Sequence, residues 1–97
     1  MIIIHDTFVC KPGNASKVAK MCKEWMGEKE GVLHIMTDMT GQYHRVILVS
    51  QYESLAAYEE KMKKQMEDSE ENRKMGEKFA GFQDMYLSGS REIFKAW

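Results

Sequence analysis

The apolar run Val46-Ile47-Leu48-Val49 lies inside the stretch Gln42 to Tyr52 and predicts a strand that needs cover on both faces. Ile2 to Cys10 is rich in β-branched and aromatic residues and is ended by Lys11-Pro12-Gly13, so it predicts a first strand. Val18, Met21, Cys22, Trp25 and Met26 then recur at helical spacing, with Lys17, Lys20, Lys23, Glu24 and Glu28 on the opposite side. This predicts a helix from Ala15 to about Lys29, with Asn14 at its N-cap and Gly31 at its close. Val32 to Met39 reads as a second strand, and Thr40-Gly41 as a short hairpin connection into the third.

Ser54 is a good N-cap for a second helix whose stripe is Leu55, Tyr58, Met62 and Met66. Glu67 to Lys74 holds no apolar residue, which predicts a break with a fresh cap at Asp68 or Ser69. The stripe resumes with Met75, Phe79, Phe82 and Tyr86. Ser88-Gly89-Ser90 is expected to stop it, and Arg91 to Trp97 to form a last strand. The order βαββαβ, joined by right-handed crossovers, is that of an α+β ferredoxin-like sandwich. Its first and third strands are central and its helices lie on one face of an antiparallel sheet. Residues 1–97 are expected to make a single such domain.

Alternation along the two central strands assigns their faces. Ile2, Ile4, Asp6, Phe8 and Cys10 go under the helices with Val46, Leu48, Ser50 and Tyr52. That leaves Ile3, His5, Thr7 and Val9 with Arg45, Ile47, Val49 and Gln51 on the other face. An apolar face of this kind marks association, and two copies stacked sheet to sheet would bury it and enclose a cavity. Asp6 is the one residue that fits this sidedness badly.

Composition narrows the partners. Fourteen basic and fifteen acidic residues give a formal charge of −1, without the basic excess that a nucleic-acid binder uses against phosphates. Met1-Ile2-Ile3-Ile4 is too short to span a membrane. Cys10 and Cys22 form neither a metal pair nor a disulfide framework; with no recognisable leader they read as free thiols of a cytoplasmic protein. The nine methionines are adaptable core filler or the lining of a pliable apolar surface. A phosphate-cradling glycine loop and a nucleophile elbow are both missing from the sequence.

Several passages resemble the dimeric α/β-barrel superfamily, in particular its NIPSNAP-like and antibiotic-biosynthesis-monooxygenase-like branches. They are Lys11-Pro12-Gly13-Asn14 ahead of an amphipathic helix and Asp38-x-Thr40-Gly41-x-Tyr43-x-Arg45-Val46. Tyr52-Glu53-Ser54-Leu55-x-x-Tyr58-Glu59 and Gly89-x-Arg91-Glu92-Ile93 complete the set. The resemblance implies a homodimer whose two sheets close into a barrel around a small ligand. It covers nearly the whole chain, and its motifs are architectural. The haem-degrading members use a histidine late in the chain, whereas the last histidine here is His44.

The cavity between stacked sheets would be lined by His5, Thr7, Arg45, Ile47, Val49 and Gln51. His5 is placed for proton transfer or, alternatively, for a structural hydrogen bond at the dimer interface. Arg45 and Gln51 suit an anionic or carbonyl-bearing ligand, or a pairing with Glu92. His5, His34 and Asp38 are the residue types of a two-histidine, one-carboxylate site, but no tight ligand motif joins them and no cofactor is expected. Arg91-Glu92 is expected to fix the last strand, and Tyr58, Phe79, Phe82 and Tyr86 to pack between helix and sheet. The leading expectation is a homodimer that binds a small, partly apolar or aromatic molecule. One alternative is a cofactor-free monooxygenase using His5, Arg45 and Tyr86; another is a purely structural dimer.

Overall fold

In the computed structural model, which describes residues 1–27, 29, 31–67, 69–78 and 80–97, a four-stranded antiparallel sheet carries three helices in the ferredoxin-like order. Glu28, Asp68 and Phe79, which the sequence assigned to a helix face, a cap and a stripe, lie outside the described residues. The elements are β1 (Ile2–Cys10), α1 (Ala15–Met26), β2 (Val32–Thr37), β3 (Arg45–Tyr52), α2 (Leu55–Gln65), α3 (Glu70–Lys78) and β4 (Tyr86–Lys95). The strands run β2-β3-β1-β4 across the sheet, so the first and third are central.

Antiparallel pairing puts directly opposed residues on one face. Ile4 opposes Ser50, Asp6 opposes Leu48 and Phe8 opposes Val46. These residues meet the helices: Cys10, Val18, Cys22 and Val46 form the buried cluster, flanked by Phe8, Ala19, Ile35, Phe82 and Tyr86. Rings of Phe8, Phe82 and Tyr86 meet edge-on or tilted at centroid distances of 5.1–5.5 Å. Asp6 is only 14% exposed and forms an ion pair with Arg91 of β4, which also lies 5.7 Å from the Tyr58 ring. A carboxylate beneath the helices is therefore matched by a cation from the neighbouring strand.

Boundaries depart from the periodicity where backbone groups find other partners. α1 ends at Gly27, and Gly31 instead stands just before β2, its carbonyl accepting the Gln51 N–H at 2.7 Å. The Asn14 side chain makes no capping bond; the helix follows the turn in which Asn14 N–H donates to Lys11 O at 3.0 Å. β3 starts at Arg45, later than expected, because the Asp38 carboxylate accepts the Arg45 N–H at 2.6 Å and the His44 carbonyl accepts that of Cys10. The connection thus takes in residues 38–44, with His44 at φ 65°.

Ser54 caps α2 as expected, its Oγ accepting the Ala57 N–H at 3.1 Å. The break also falls where the apolar residues lapse. Ser69 Oγ accepts from Asn72 N, and the Asn72 amide donates to the Glu67 carbonyl at 2.7 Å across the bend. Two expectations fail here. Leu55 and Met66, at the ends of the α2 stripe, are exposed, leaving Tyr58 and Met62 half-buried. Ser88-Gly89-Ser90 lies inside β4 and does not stop a helix; left-handed Gly81 (φ 88°) and a 3₁₀ turn at Phe82–Met85 precede the strand.

Two glycines give opposite predictions. At Gly31 (φ 93°) an added Cβ would sit 3.0 Å from the Gln51 carbonyl oxygen, so Gly31→Ala should lose roughly 1–2 kcal/mol in a denaturant titration. At helical Gly76 the added Cβ meets open space, so Gly76→Ala should gain roughly 0.5–1 kcal/mol.

Candidate functional site

The second face of the sheet carries no helix, and the registers say which side chains line it. Ile3 opposes Gln51, His5 opposes Val49, Thr7 opposes Ile47 and Val9 opposes Arg45, so the six expected cavity residues do share one face. β4 adds Phe94, Glu92 and Ser90 opposite Ile3, His5 and Thr7, while β2 adds His34 and Met36 opposite Val49 and Ile47. Glu92 and Phe94 fall inside the expected last strand but were missed as members of this surface because the alternation of that strand was not assigned to faces. Their parity against His5 would have found them.

One row crosses the whole face: His34, Val49, His5, Glu92. Val49 is only 7% exposed although it stands on the uncovered side. The His5 ring meets Phe94 edge-on at 5.2 Å. Among the described residues the side chains of His34 and Glu92 have no hydrogen bond or ion pair, and that of His5 has only the ring contact. Around the row, Met36 (40% exposed) and Phe94 (45%) add open apolar surface to Ile3, Ile47 and Val9.

Arg45 stands at the margin of this face and turns toward the loop before it. Its Nη2 donates to the Thr40 carbonyl at 3.5 Å and lies 3.0 Å from where a Cβ on Gly41 (φ 92°) would be. Its Nε is buried with no acceptor among the described residues. The Asp38 carboxylate accepts the Arg45 backbone N–H, and no three His, Cys, Asp or Glu side chains among the described residues gather as a metal site. Tyr86 is on the opposite side of the sheet, packed with Phe8 and Phe82. The trio His5, Arg45, Tyr86 is consequently divided by the sheet and cannot act on one molecule within a single chain.

The helix side holds a different group. Tyr52 and Tyr58 meet edge-on at 5.1 Å beside Asp6 and Arg91. Burial raises the Tyr58 phenol, opposed by the nearby Arg91 charge. The Tyr58 hydroxyl is buried without a hydrogen-bond partner of good geometry among the described residues, although Arg91 is close enough to act on it electrostatically. Two open clefts flank α2: one of about 480 Å³ walled by Trp25, Met75 and Phe82, and one of about 840 Å³ that reaches Tyr52 and Gln51. Neither of these two clefts is lined by His5, Thr7, Arg45, Ile47 or Val49.

No protein-family model and no curated protein matches the chain. Solved structures do. A NIPSNAP family protein from Agrobacterium tumefaciens superposes with a TM-score of 0.79 at 16% identity, over 97% of this chain and 90% of that one. An uncharacterized NIPSNAP domain protein from Burkholderia xenovorans gives 0.82 at 10% identity, over 100% and 95%. A candidate antibiotic biosynthesis monooxygenase from Deinococcus radiodurans gives 0.60 at 12% identity, over 100% and 93%. The structural neighbours are thus of the two kinds that the sequence resembles, and at these identities the likeness is one of fold.

The cysteines contribute no nucleophile to either face. Burial, and then the neighbouring Cys10 and Asp6, push the Cys22 thiol up from 9.0 to about 11. In the unfolded chain this thiol ionises first, so its contribution to stability is present below pH 9 and is lost as pH rises from about 9 to about 11. Native protein at pH 8 should therefore leave Cys22 unlabelled by a thiol reagent that modifies it fully in denaturant. Urea midpoints should fall between pH 9 and 11, and Cys22→Ala should flatten that fall.

Proposed function

We propose that this protein is a homodimer that binds a small, partly apolar molecule between two sheets stacked through their helix-free faces. The observation that carries the reading is surface left over. The chain exposes 7105 Å², whereas a folded monomer of its mass is expected to expose about 5,700 Å². The excess is larger than the roughly 800 Å² per partner of a standard interface. The uncovered sheet face joins Ile3, Val9, Ile47, Val49 and Phe94 to a few polar side chains, His5 among them and His34 and Glu92 toward its edges, as a ligand-enclosing interface requires. Among the described residues no helix is long and apolar enough to cross a membrane, so the apolar surface is not explained by a spanning helix.

Catalysis in the same space is the competing reading, favoured by the candidate monooxygenase among the structural neighbours. It would have to rest on His5 with Arg45 of the same face, because Tyr86 is turned away. Oxygen uptake with aromatic quinols that disappears in His5→Ala would establish it.

Sedimentation equilibrium at micromolar concentration should give twice the 11.3 kDa chain mass, and Ile47→Glu should give a monomer with an unchanged far-ultraviolet spectrum. The wild-type dimer should bind the apolar dye 1-anilinonaphthalene-8-sulfonate saturably, and Ile47→Glu should lose that stoichiometric site. A wild-type monomer would overturn the dimer. A dimer that excludes the dye would reduce it to a structural module packed shut.

A further inference from the structure

From the cross-sheet row we infer that the dimer is closed on each side by an ion pair between His34 of one protomer and Glu92 of the other. This rests on the sheet-to-sheet dimer proposed above. His34, Val49, His5 and Glu92 occupy one level on four successive strands and leave the sheet on the same side. A two-fold axis between the sheets and parallel to the strands reverses their order. It lays β2 over the partner's β4 and β3 over the partner's β1, with the level unchanged. His34 then meets the partner's Glu92 at both margins, and the apolar Val49 meets the partner's His5 in the middle.

A two-fold axis across the strands would instead lay β4 on β4 and bring Glu92 toward its own copy, like charge on like. The strand-parallel axis is the one that complements charge. Its geometry tolerates the usual twist. His34 and Glu92 lie one and a half strand spacings, about 7 Å, from the axis. The roughly 30° between packed sheets displaces them there by about one residue, within reach of both side chains. The pairing also answers a need, since covering this face removes water from His34 and Glu92, whose side chains have no hydrogen-bond or ion-pair partner among the described residues of their own chain.

Charge exchange tests the contact in the intact protein. Glu92→Lys and His34→Glu alone should each raise the dimer dissociation constant about tenfold by sedimentation, since two contacts per dimer are lost. The double variant His34→Glu/Glu92→Lys should return to within about threefold of wild type. Additive weakening, or single variants that change nothing in a protein that remains dimeric, would overturn this contact while leaving the dimer standing. A wild-type monomer would overturn both. Should a charge variant fail to fold, His34→Cys/Glu92→Cys treated with a short bismaleimide offers a second measurement. Within one chain the two positions are three strand spacings apart, about 14 Å, beyond such a linker. A covalent dimer supports the contact, and a dimer that is never cross-linked overturns it.

Discussion

The antiparallel pairing of β1 with β3 is the constraint on which the rest depends. Eight consecutive residue pairs, from Ile2 with Tyr52 to Val9 with Arg45, lock two strands of strict alternation together. A slip of one residue in either strand would turn Ile4, Phe8, Val46 and Leu48 out of the core and bring His5 and Thr7 beneath α1. Because both strands are central, their shared sidedness is passed on to β2 and β4 through the next registers. The helix-covered core and the uncovered face are thus two readings of a single register.

Asp6 tests that register most severely, since it is a carboxylate held on the packed side. Its partner comes from β4, where Arg91 stands directly opposite it. The same pairing that puts Arg91 under the helices puts Glu92 on the open face beside His5. Arg91-Glu92 therefore does two things at once. One residue neutralises a charge beneath the helices, and the next supplies a charge to the surface where a partner or ligand would be met. Shifting β4 by one position would strand Asp6 without its cation and remove Glu92 from the row.

The fold was legible wherever a period of two or of 3.6 ran without interruption. β1 is found at its expected limits, the central positions of β1 and β3 hold, and the α2–α3 break falls where apolar residues lapse. The sequence misled where a local side chain or backbone group competed with periodicity. Asp38 drew Gln42 to His44 into a loop, and left-handed Gly81 ended the helical run before Tyr86. Ser88-Gly89-Ser90 looked like a stop, yet in an antiparallel edge strand its backbone pairs regardless of those side chains, with Gly89 against Phe8. The site was half legible for the same reason. Its residues on β1 and β3 followed from alternation, while Glu92 and Phe94 depended on the register of β4 against β1, and Tyr86 packs against the core as its place in the helical stripe implied.

Identities of 10–16% beside TM-scores near 0.8 say what this fold demands of a sequence. It needs alternation in two central strands, an apolar stripe on α1 and turns that fit, and these can be met by very different residues. Chemistry is not carried along by such a pattern, because the open face imposes only that its centre be apolar enough to be covered. The polar row therefore has to be understood from this chain alone. A sheet face that a second copy covers would gain stability from apolar residues at every position of the row. Val49 follows that rule, whereas His34, His5 and Glu92 depart from it at the places where a partner's charge or a bound molecule could answer them. In the dimer proposed above, that departure would place the function of this surface in the pair of chains.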